Sequence, residues 1–98
     1  MIRVVVADDH TVVREGLSAL IASEPDLQVV AAVDSGEAAV DAAAELTPDV
    51  VLMDLAMPGI GGIEATAQIT AAGDCAVVVL TTFAESQRVL AALDAGAV

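Results

Sequence analysis

The chain has no lysine, tryptophan or tyrosine, and its 98 residues include only three arginines, one cysteine and one phenylalanine. Phosphate contacts depend on lysine and arginine, so a chain with a formal charge of −12 is not expected to bind nucleic acid by itself. A single cysteine provides neither a disulfide framework nor a thiolate metal cluster.

Long apolar runs are also missing. The longest ones have the length of a strand, so no transmembrane helix is predicted. The N-terminus lacks a basic segment followed by an apolar one, because Asp8 and Asp9 interrupt the first apolar run. We therefore expect one small cytoplasmic domain, spanning residues 1–98, that has no membrane partner.

Short valine-rich segments alternate with alanine-rich segments of helical spacing. The predicted strands are Ile2–Ala7, Leu27–Val33, Val50–Asp54 and Ala76–Thr81. The first predicted helix has its apolar face at Val13, Leu17, Leu20 and Ile21. The other three predicted helices are Gly36–Glu45, Gly61–Ala72 and Glu85–Ala95. This alternation predicts an α/β fold with a parallel sheet and helices on both faces. We expect the sheet to be doubly wound in the flavodoxin-like order 2-1-3-4-(5). The chain ends where a fifth strand is expected, so the sequence looks cut short.

Three carboxylates stand at the ends of predicted strands. Asp8 and Asp9 follow the first strand, and Asp54 ends the third. In open parallel α/β sheets ligands bind beyond the carboxyl ends of the strands, at the switch in strand order, where these two strands are neighbours. Two unit charges ~4 Å apart repel by about 4 kcal/mol at an effective dielectric of about 20, and a cation between them relieves this repulsion. Oxygen ligands favour a hard ion, and Mg²⁺ fits best because it leaves room for a phosphate oxygen.

Each of these residues also has a more ordinary explanation. A lone aspartate at a strand end is usually a solvated turn, and the Asp8-Asp9 pair could cap the next helix. His10 is interpreted as a helix-start or surface residue, so the donor set is taken to be oxygen only.

A carboxylate beside Mg²⁺ can act as a nucleophile towards phosphorus and form an aspartyl phosphate. A hydroxyl of Thr81 or Thr82 at the fourth strand's end could donate to a phosphoryl oxygen.

Four segments resemble the receiver domain of bacterial two-component response regulators. They read VVVADDH, VVLMDLAMPGIGGIEA, VVVLTTF and VLAALDAGA, and they span nearly the whole chain in the family's order and spacing. The stretches ADDHTVVREGL and LTTF are most similar to the NarL/FixJ (LuxR-type) branch. The resemblance implies a CheY-like fold and a C-terminal helix-turn-helix DNA-binding domain that this chain lacks.

The resemblance also implies roles for single residues. Asp54 would be the phospho-acceptor, and Thr81 would be the switch hydroxyl, with Thr82 tuning phosphoryl access. Mg²⁺ would be bound by the side chains of Asp9 and Asp54, by the backbone carbonyl of Ala56, and by Asp8 mainly through water. A sensor histidine kinase would supply the phosphoryl group, and phosphorylation would control homodimerisation and a DNA-binding output in transcription regulation. The domain would be a self-phosphorylating acceptor and not a turnover enzyme.

Departures from the family pattern keep alternatives open. The family has a lysine at the end of a fifth strand, and this chain has neither that lysine nor that strand. A non-phosphorylated, receiver-like interaction module is therefore a second hypothesis. A third is a Mg²⁺ phosphatase with an aspartyl-phosphate intermediate, which would want an acid–base carboxylate at the position that Ala56 occupies. The missing strand would leave Ala76–Thr81 as an apolar sheet edge, so an isolated chain is expected to dimerise, swap or aggregate.

Overall fold

Seven elements alternate along the part of the chain that the computed structural model describes, namely residues 1–55, 57, 59–73, 75–80 and 96. The strands are β1 (Ile2–Ala7), β2 (Leu27–Val33), β3 (Val50–Asp54) and β4 (Ala76–Leu80). The helices are α1 (Thr11–Ala22), α2 (Gly36–Leu46) and α3 (Gly61–Ala72). None of the helices in these ranges has the length and hydropathy that crossing a membrane requires.

The four strands form one parallel sheet of order β2-β1-β3-β4. The predicted α/β class and the order 2-1-3-4 are therefore confirmed. Since consecutive strands run parallel, each connection returns across a face of the sheet, and each of these connections contains one of the helices. β1 and β3 are the central pair, and the change in winding direction lies between them.

Within the described residues, the boundaries of the strands and helices agree with the predicted ranges to within one residue. The helix predicted over Gly36–Glu45 continues to Leu46 and ends at Thr47, whose φ of 44° is left-handed. The N–H of Thr47 still donates to the carbonyl of Ala43 at 3.1 Å, which closes the last turn. Thr81, predicted as the end of the fourth strand, and the predicted helix Glu85–Ala95 lie outside the described residues.

The core has two layers because alternate residues of each strand point to opposite faces of the sheet. On one face, Val5 and Ala7 of β1 pack with Met53 of β3 and with residues of α2 and α3. On the other face, Val4 and Val6 pack with Ile21 of α1. β1 is thus buried on both faces over most of its length, which explains its unbroken apolar sequence. Its first polar side chain after this run is Asp8, at the carboxyl edge.

Candidate metal and phosphoryl site

The two central strands each end in an aspartate at the same edge of the sheet. Ala7 of β1 is in register with Met53 of β3, so the next residues, Asp8 and Asp54, come side by side. The N–H of Asp8 donates to the carbonyl of Val33 in β2 at 3.1 Å, which fixes this strand end on its other side. Asp8 is 4% exposed and Asp54 is 9% exposed, so these two charges are nearly buried.

Asp9 adds a third carboxylate, and its side chain is 32% exposed. Donor atoms of Asp8, Asp9, His10 and Asp54 all lie within 4.8 Å of one another. The structure therefore brings together the three carboxylates that the sequence placed at one site. Nearly buried charges of one sign at this separation favour a bound cation strongly.

His10 belongs to the same group of side chains. Its Nδ1 lies 3.1 Å from Oδ1 of Asp8, 3.2 Å from Oδ1 of Asp9 and 4.0 Å from Oδ2 of Asp54. The hydrogen bond with Asp8, and then the charge of Asp9, raise the pKa of His10 above its ordinary value. His10 is thus the exposed helix-start residue that the sequence predicted, but its Nδ1 lies beside the carboxylates, so the available donor atoms are not oxygen only. The signal for it in the sequence was its position directly after the aspartate pair.

The backbone around β1 and α1 holds these groups in place. His10 is the residue that precedes the first turn of α1, and its N–H donates to Oδ1 of Asp8 at 2.8 Å. Arg14, one helical turn later, donates from Nη1 to the backbone carbonyl of Asp8 at 2.8 Å. The sequence analysis missed Arg14. The available signal was that Arg14 follows His10 by four residues, because this i, i+4 spacing places the Arg14 side chain near the start of the helix.

The loop after Asp54 is tied down at two points. The N–H of Gly62 donates to the carbonyl of Leu55 at 3.2 Å, and the N–H of Ile60 donates to Oε1 of Glu37 at 3.2 Å. Gly59 has a φ of +78°, a left-handed backbone conformation that glycine adopts without steric cost in turns. Glu37 is a second functional candidate that sequence reasoning missed, since it lies 23 residues before its partner.

Comparison with known proteins gives the family. Residues 4–98 match the response regulator receiver domain. The chain belongs to this family. It is 46% identical over 98 residues to the transcriptional regulatory protein LiaR of Bacillus subtilis, covering 99% of this chain and 46% of LiaR. The resemblance to receiver domains found in the sequence is therefore confirmed. A receiver domain is a signalling domain.

Solved structures show the same fold. The response regulator domain of CheB from Thermotoga maritima has a TM-score of 0.93 and 39% identity, over 100% of this chain and 75% of that one. A two-component response regulator of the LuxR family from Aurantimonas has a TM-score of 0.88 and 42% identity, over 97% of this chain and 69% of that one. The receiver fold and the likeness to LuxR-family regulators are thus confirmed. The chain spans about half the length of the curated relatives it matches.

The site of this receiver domain can accommodate a divalent cation. Three carboxylates and one imidazole converge on one point, and two of the carboxylates are nearly buried. Carboxylate oxygens are the protein ligands that Mg²⁺ accepts. The predicted Mg²⁺ is therefore compatible with this donor set. Of the other predicted site residues, Ala56, Thr81 and Thr82 lie outside the described part of the chain.

Proposed function

We propose that this receiver domain is a phosphorylation-dependent switch of a two-component system, with Asp54 as the phospho-acceptor and Mg²⁺ as the cofactor. The observation that carries the proposal is the convergence of Asp8, Asp9 and Asp54 at the carboxyl edge of the sheet. A single aspartate at a strand end is a common turn or cap. Three aspartates from two separate strands, close enough to repel strongly, are the arrangement that a cation-assisted phosphoryl transfer needs.

The chain's own residues would position the transfer. An oxygen of Asp54 attacks the phosphorus of a phosphohistidine, the new O–P bond forms as the N–P bond breaks, and the electron pair of the broken bond stays on the donor imidazole. Asp9 and Asp54, with the carbonyl of Ala56 and with Asp8 through water, would hold Mg²⁺. When bound, the ion supplies positive charge that neutralises the phosphoryl oxygens. Burial of Asp54 limits the access of water to the same phosphorus.

The switch would follow from the added charge. Phosphorylated Asp54 would attract the hydroxyl of Thr81, and Thr82 would tune access to the phosphoryl group; both residues lie outside the described part of the chain. The change would shift the population of two pre-existing states of the segment after β4. The domain would thus be a self-phosphorylating acceptor and not a turnover enzyme.

The partners we propose come from the family. A sensor histidine kinase would donate the phosphoryl group in the cytoplasm, and phosphorylation would favour a homodimer. LiaR is named a transcriptional regulatory protein, and the Aurantimonas protein a LuxR-family response regulator. We therefore propose transcription regulation through a DNA-binding domain in a longer protein. The formal charge of −12 makes residues 1–98 themselves unsuited to DNA.

The test is phosphorylation by a small acyl phosphate in the presence of Mg²⁺, followed by intact mass measurement. The wild-type chain should gain one phosphoryl group, and Asp54→Asn should gain none. Asp41→Asn is the matched control, because it makes the same chemical change on the exposed side of α2. Omitting Mg²⁺ should abolish the gain in the wild type.

Other results point to the other hypotheses. Wild-type protein that folds but gains no mass contradicts the proposal and leaves a non-phosphorylated interaction module. Continuous release of phosphate over many turnovers would indicate a phosphatase. A gain that persists in Asp54→Asn would place the acceptor on another residue.

A further inference from the structure

Arg14 is a half-buried cation in the first turn of α1, and the family resemblance assigns it no role at the ion site. We propose that Arg14 is a positioning residue, which orients Asp9 towards the metal ion by holding the peptide group between Asp8 and Asp9. The inference rests on the proposed function, because Asp9 is one of the proposed Mg²⁺ ligands. It deepens that function by naming what holds this ligand in place.

Asp9 is the carboxylate of the site that most needs such support. It lies in the three-residue connection between β1 and α1 and belongs to neither element. Its side chain is 32% exposed, whereas Asp8 and Asp54 are nearly buried against the sheet. Packing therefore restrains Asp9 less than the other two carboxylates. The direction of the Asp9 side chain depends instead on how the backbone of this connection is held.

Hydrogen bonds hold the connection on both sides of Asp9. The peptide group after it is held through the N–H of His10, which donates to Oδ1 of Asp8 at 2.8 Å. The peptide group before it is held by Arg14, whose Nη1 donates to the carbonyl of Asp8 at 2.8 Å. Because a peptide group is planar, fixing its oxygen also fixes the bond that leads to Cα of Asp9. The two contacts together set the direction in which the Asp9 side chain leaves the backbone.

The guanidinium of Arg14 is well suited to this role. The N–H of Arg14 donates to the carbonyl of His10 at 2.9 Å, so the helix itself fixes where the side chain starts. The guanidinium stays protonated in proteins, and charged donors make stronger hydrogen bonds than neutral ones. Among the described residues, the ion pairs of the site involve His10 and not Arg14. Arg14 therefore acts through the backbone of Asp8 and not by pairing with a carboxylate.

The alternative is that Arg14 contributes only its positive charge to the surroundings of the site. The two roles predict opposite changes in Mg²⁺ affinity. A cation near the carboxylates repels Mg²⁺, so removing a purely electrostatic Arg14 would tighten Mg²⁺ binding. Removing a positioning Arg14 weakens binding, because the residues that orient metal ligands typically contribute about tenfold or more to metal affinity.

The test is a titration of the 98-residue chain with Mg²⁺, followed by the NMR signals of its backbone amides. Arg14→Met keeps the length of the aliphatic chain but loses the guanidinium, and it should weaken Mg²⁺ binding by about tenfold. At saturating Mg²⁺ its rate of phosphorylation by an acyl phosphate should stay within about threefold of wild type, because Asp9 is then held by the ion. Arg14→Lys should recover most of the Mg²⁺ affinity, since an ammonium can donate to the same carbonyl.

Arg3→Met is the matched control. Arg3 also donates from Nη1 to backbone carbonyls, those of Leu46 and Thr47 at the end of α2. It lies at the opposite end of β1 from Asp8, roughly 17 Å away at the rise of a strand. Arg3→Met makes the same change in charge and should lower the urea midpoint of unfolding. It should leave Mg²⁺ affinity within about twofold of wild type, because charges this far apart are screened at physiological ionic strength.

The outcomes separate this inference from the proposed function. Unchanged or tighter Mg²⁺ binding by folded Arg14→Met overturns the role of Arg14, and so does equal weakening in Arg3→Met. If Arg14→Met does not fold, Arg14→Gln, which also lacks the guanidinium, takes its place with the same expected weakening. Weaker Mg²⁺ binding by Arg14→Met, alongside a wild type that gains no phosphoryl group, supports the role of Arg14 and contradicts the proposed function. A wild type that binds no Mg²⁺ contradicts both.

Discussion

At the scale of single residues, Gly62 is the point where α3 packs against the end of β3. A Cβ atom at this position would overlap the backbone oxygen of Asp54 and would lie 2.7 Å from Cα of Leu55. Both of these neighbours are backbone atoms, which cannot move aside as a side-chain end can. The first turn of α3 therefore packs directly against the backbone of Asp54, the proposed phospho-acceptor, and only glycine allows this approach.

Replacing Gly62 by alanine should consequently be costly. We expect Gly62→Ala to lower the free energy of unfolding by about 3 kcal/mol, because the added methyl group must displace backbone in a buried region. Urea unfolding followed by circular dichroism measures the change. Phosphorylation of Asp54 should slow in the same variant, since its carbonyl would have to shift.

Gly16→Ala is the matched control, because a Cβ at Gly16 in α1 would meet nothing within 4 Å. The same substitution there should raise the free energy of unfolding by about 0.5–1 kcal/mol through the better helix propensity of alanine. Equal effects of the two substitutions would contradict the close approach at Gly62.

At the scale of elements, the first turn of α2 holds the loop that leads from Asp54 into α3. Ser35 caps α2, since its Oγ accepts from the N–H of Ala38 at 3.1 Å. Glu37, in this first turn, accepts the N–H of Ile60. Gly59 lies so close to the Glu37 carboxylate that no side chain would fit between them. The first turn of α2 thus holds the loop that follows Asp54, the proposed phospho-acceptor.

Removing this carboxylate should loosen the loop without unfolding the domain. We expect Glu37→Ala to slow phosphorylation of Asp54 by roughly fivefold, which corresponds to the ~1 kcal/mol of a typical hydrogen bond. The measurement is the rate of mass gain with an acyl phosphate at saturating Mg²⁺.

Glu37→Gln should keep most of the wild-type rate, because its amide oxygen accepts the same N–H. If both variants phosphorylate at the wild-type rate, Glu37 does not position the loop. If both slow equally, the charge matters and not the hydrogen bond.

At the scale of the whole molecule, β4 is one of the two edge strands of the sheet, and its five residues are all apolar. β4 pairs with β3 on one side, and no strand within the described residues pairs with its other side. Val78, in the middle of β4, is 36% exposed. Edge strands with apolar side chains promote pairing between chains. The expectation of self-association for the isolated 98-residue chain therefore stays a prediction, and it is one that the sheet supports.

Sedimentation velocity over a range of concentrations tests it. The isolated chain should sediment as a concentration-dependent mixture, and Val78→Lys should shift the mixture towards monomer, because lysine opposes pairing at a sheet edge. Val12→Lys is a control of equal charge on the exposed side of α1, where no strand pairing is at stake. If the wild type sediments as a monomer at every concentration and unfolds cooperatively, the prediction is contradicted.

The sequence by itself was sufficient for the order of the elements and for the two strand ends that bear the carboxylates of the site. Valine-rich runs and helical spacing are local patterns, and they placed the strand ends at Asp8 and Asp54 correctly. General rules of parallel sheets then predicted that these ends would meet. Family likeness supplied the remaining roles, of which those of Ala56, Thr81 and Thr82 lie outside the described residues.

Only the tertiary structure decided which atoms meet. The direction of His10 depends on a side-chain torsion at the start of α1, and no periodicity in the sequence reports it. The contacts of Glu37 with Ile60 and of Gly62 with the backbone of Asp54 depend on how α2 and α3 settle on the sheet. Local patterns in the sequence determine where the chain turns and which face of an element is buried. The chemistry of a site depends on placing its atoms to within a few tenths of an ångström, and the packing of the elements sets that placement.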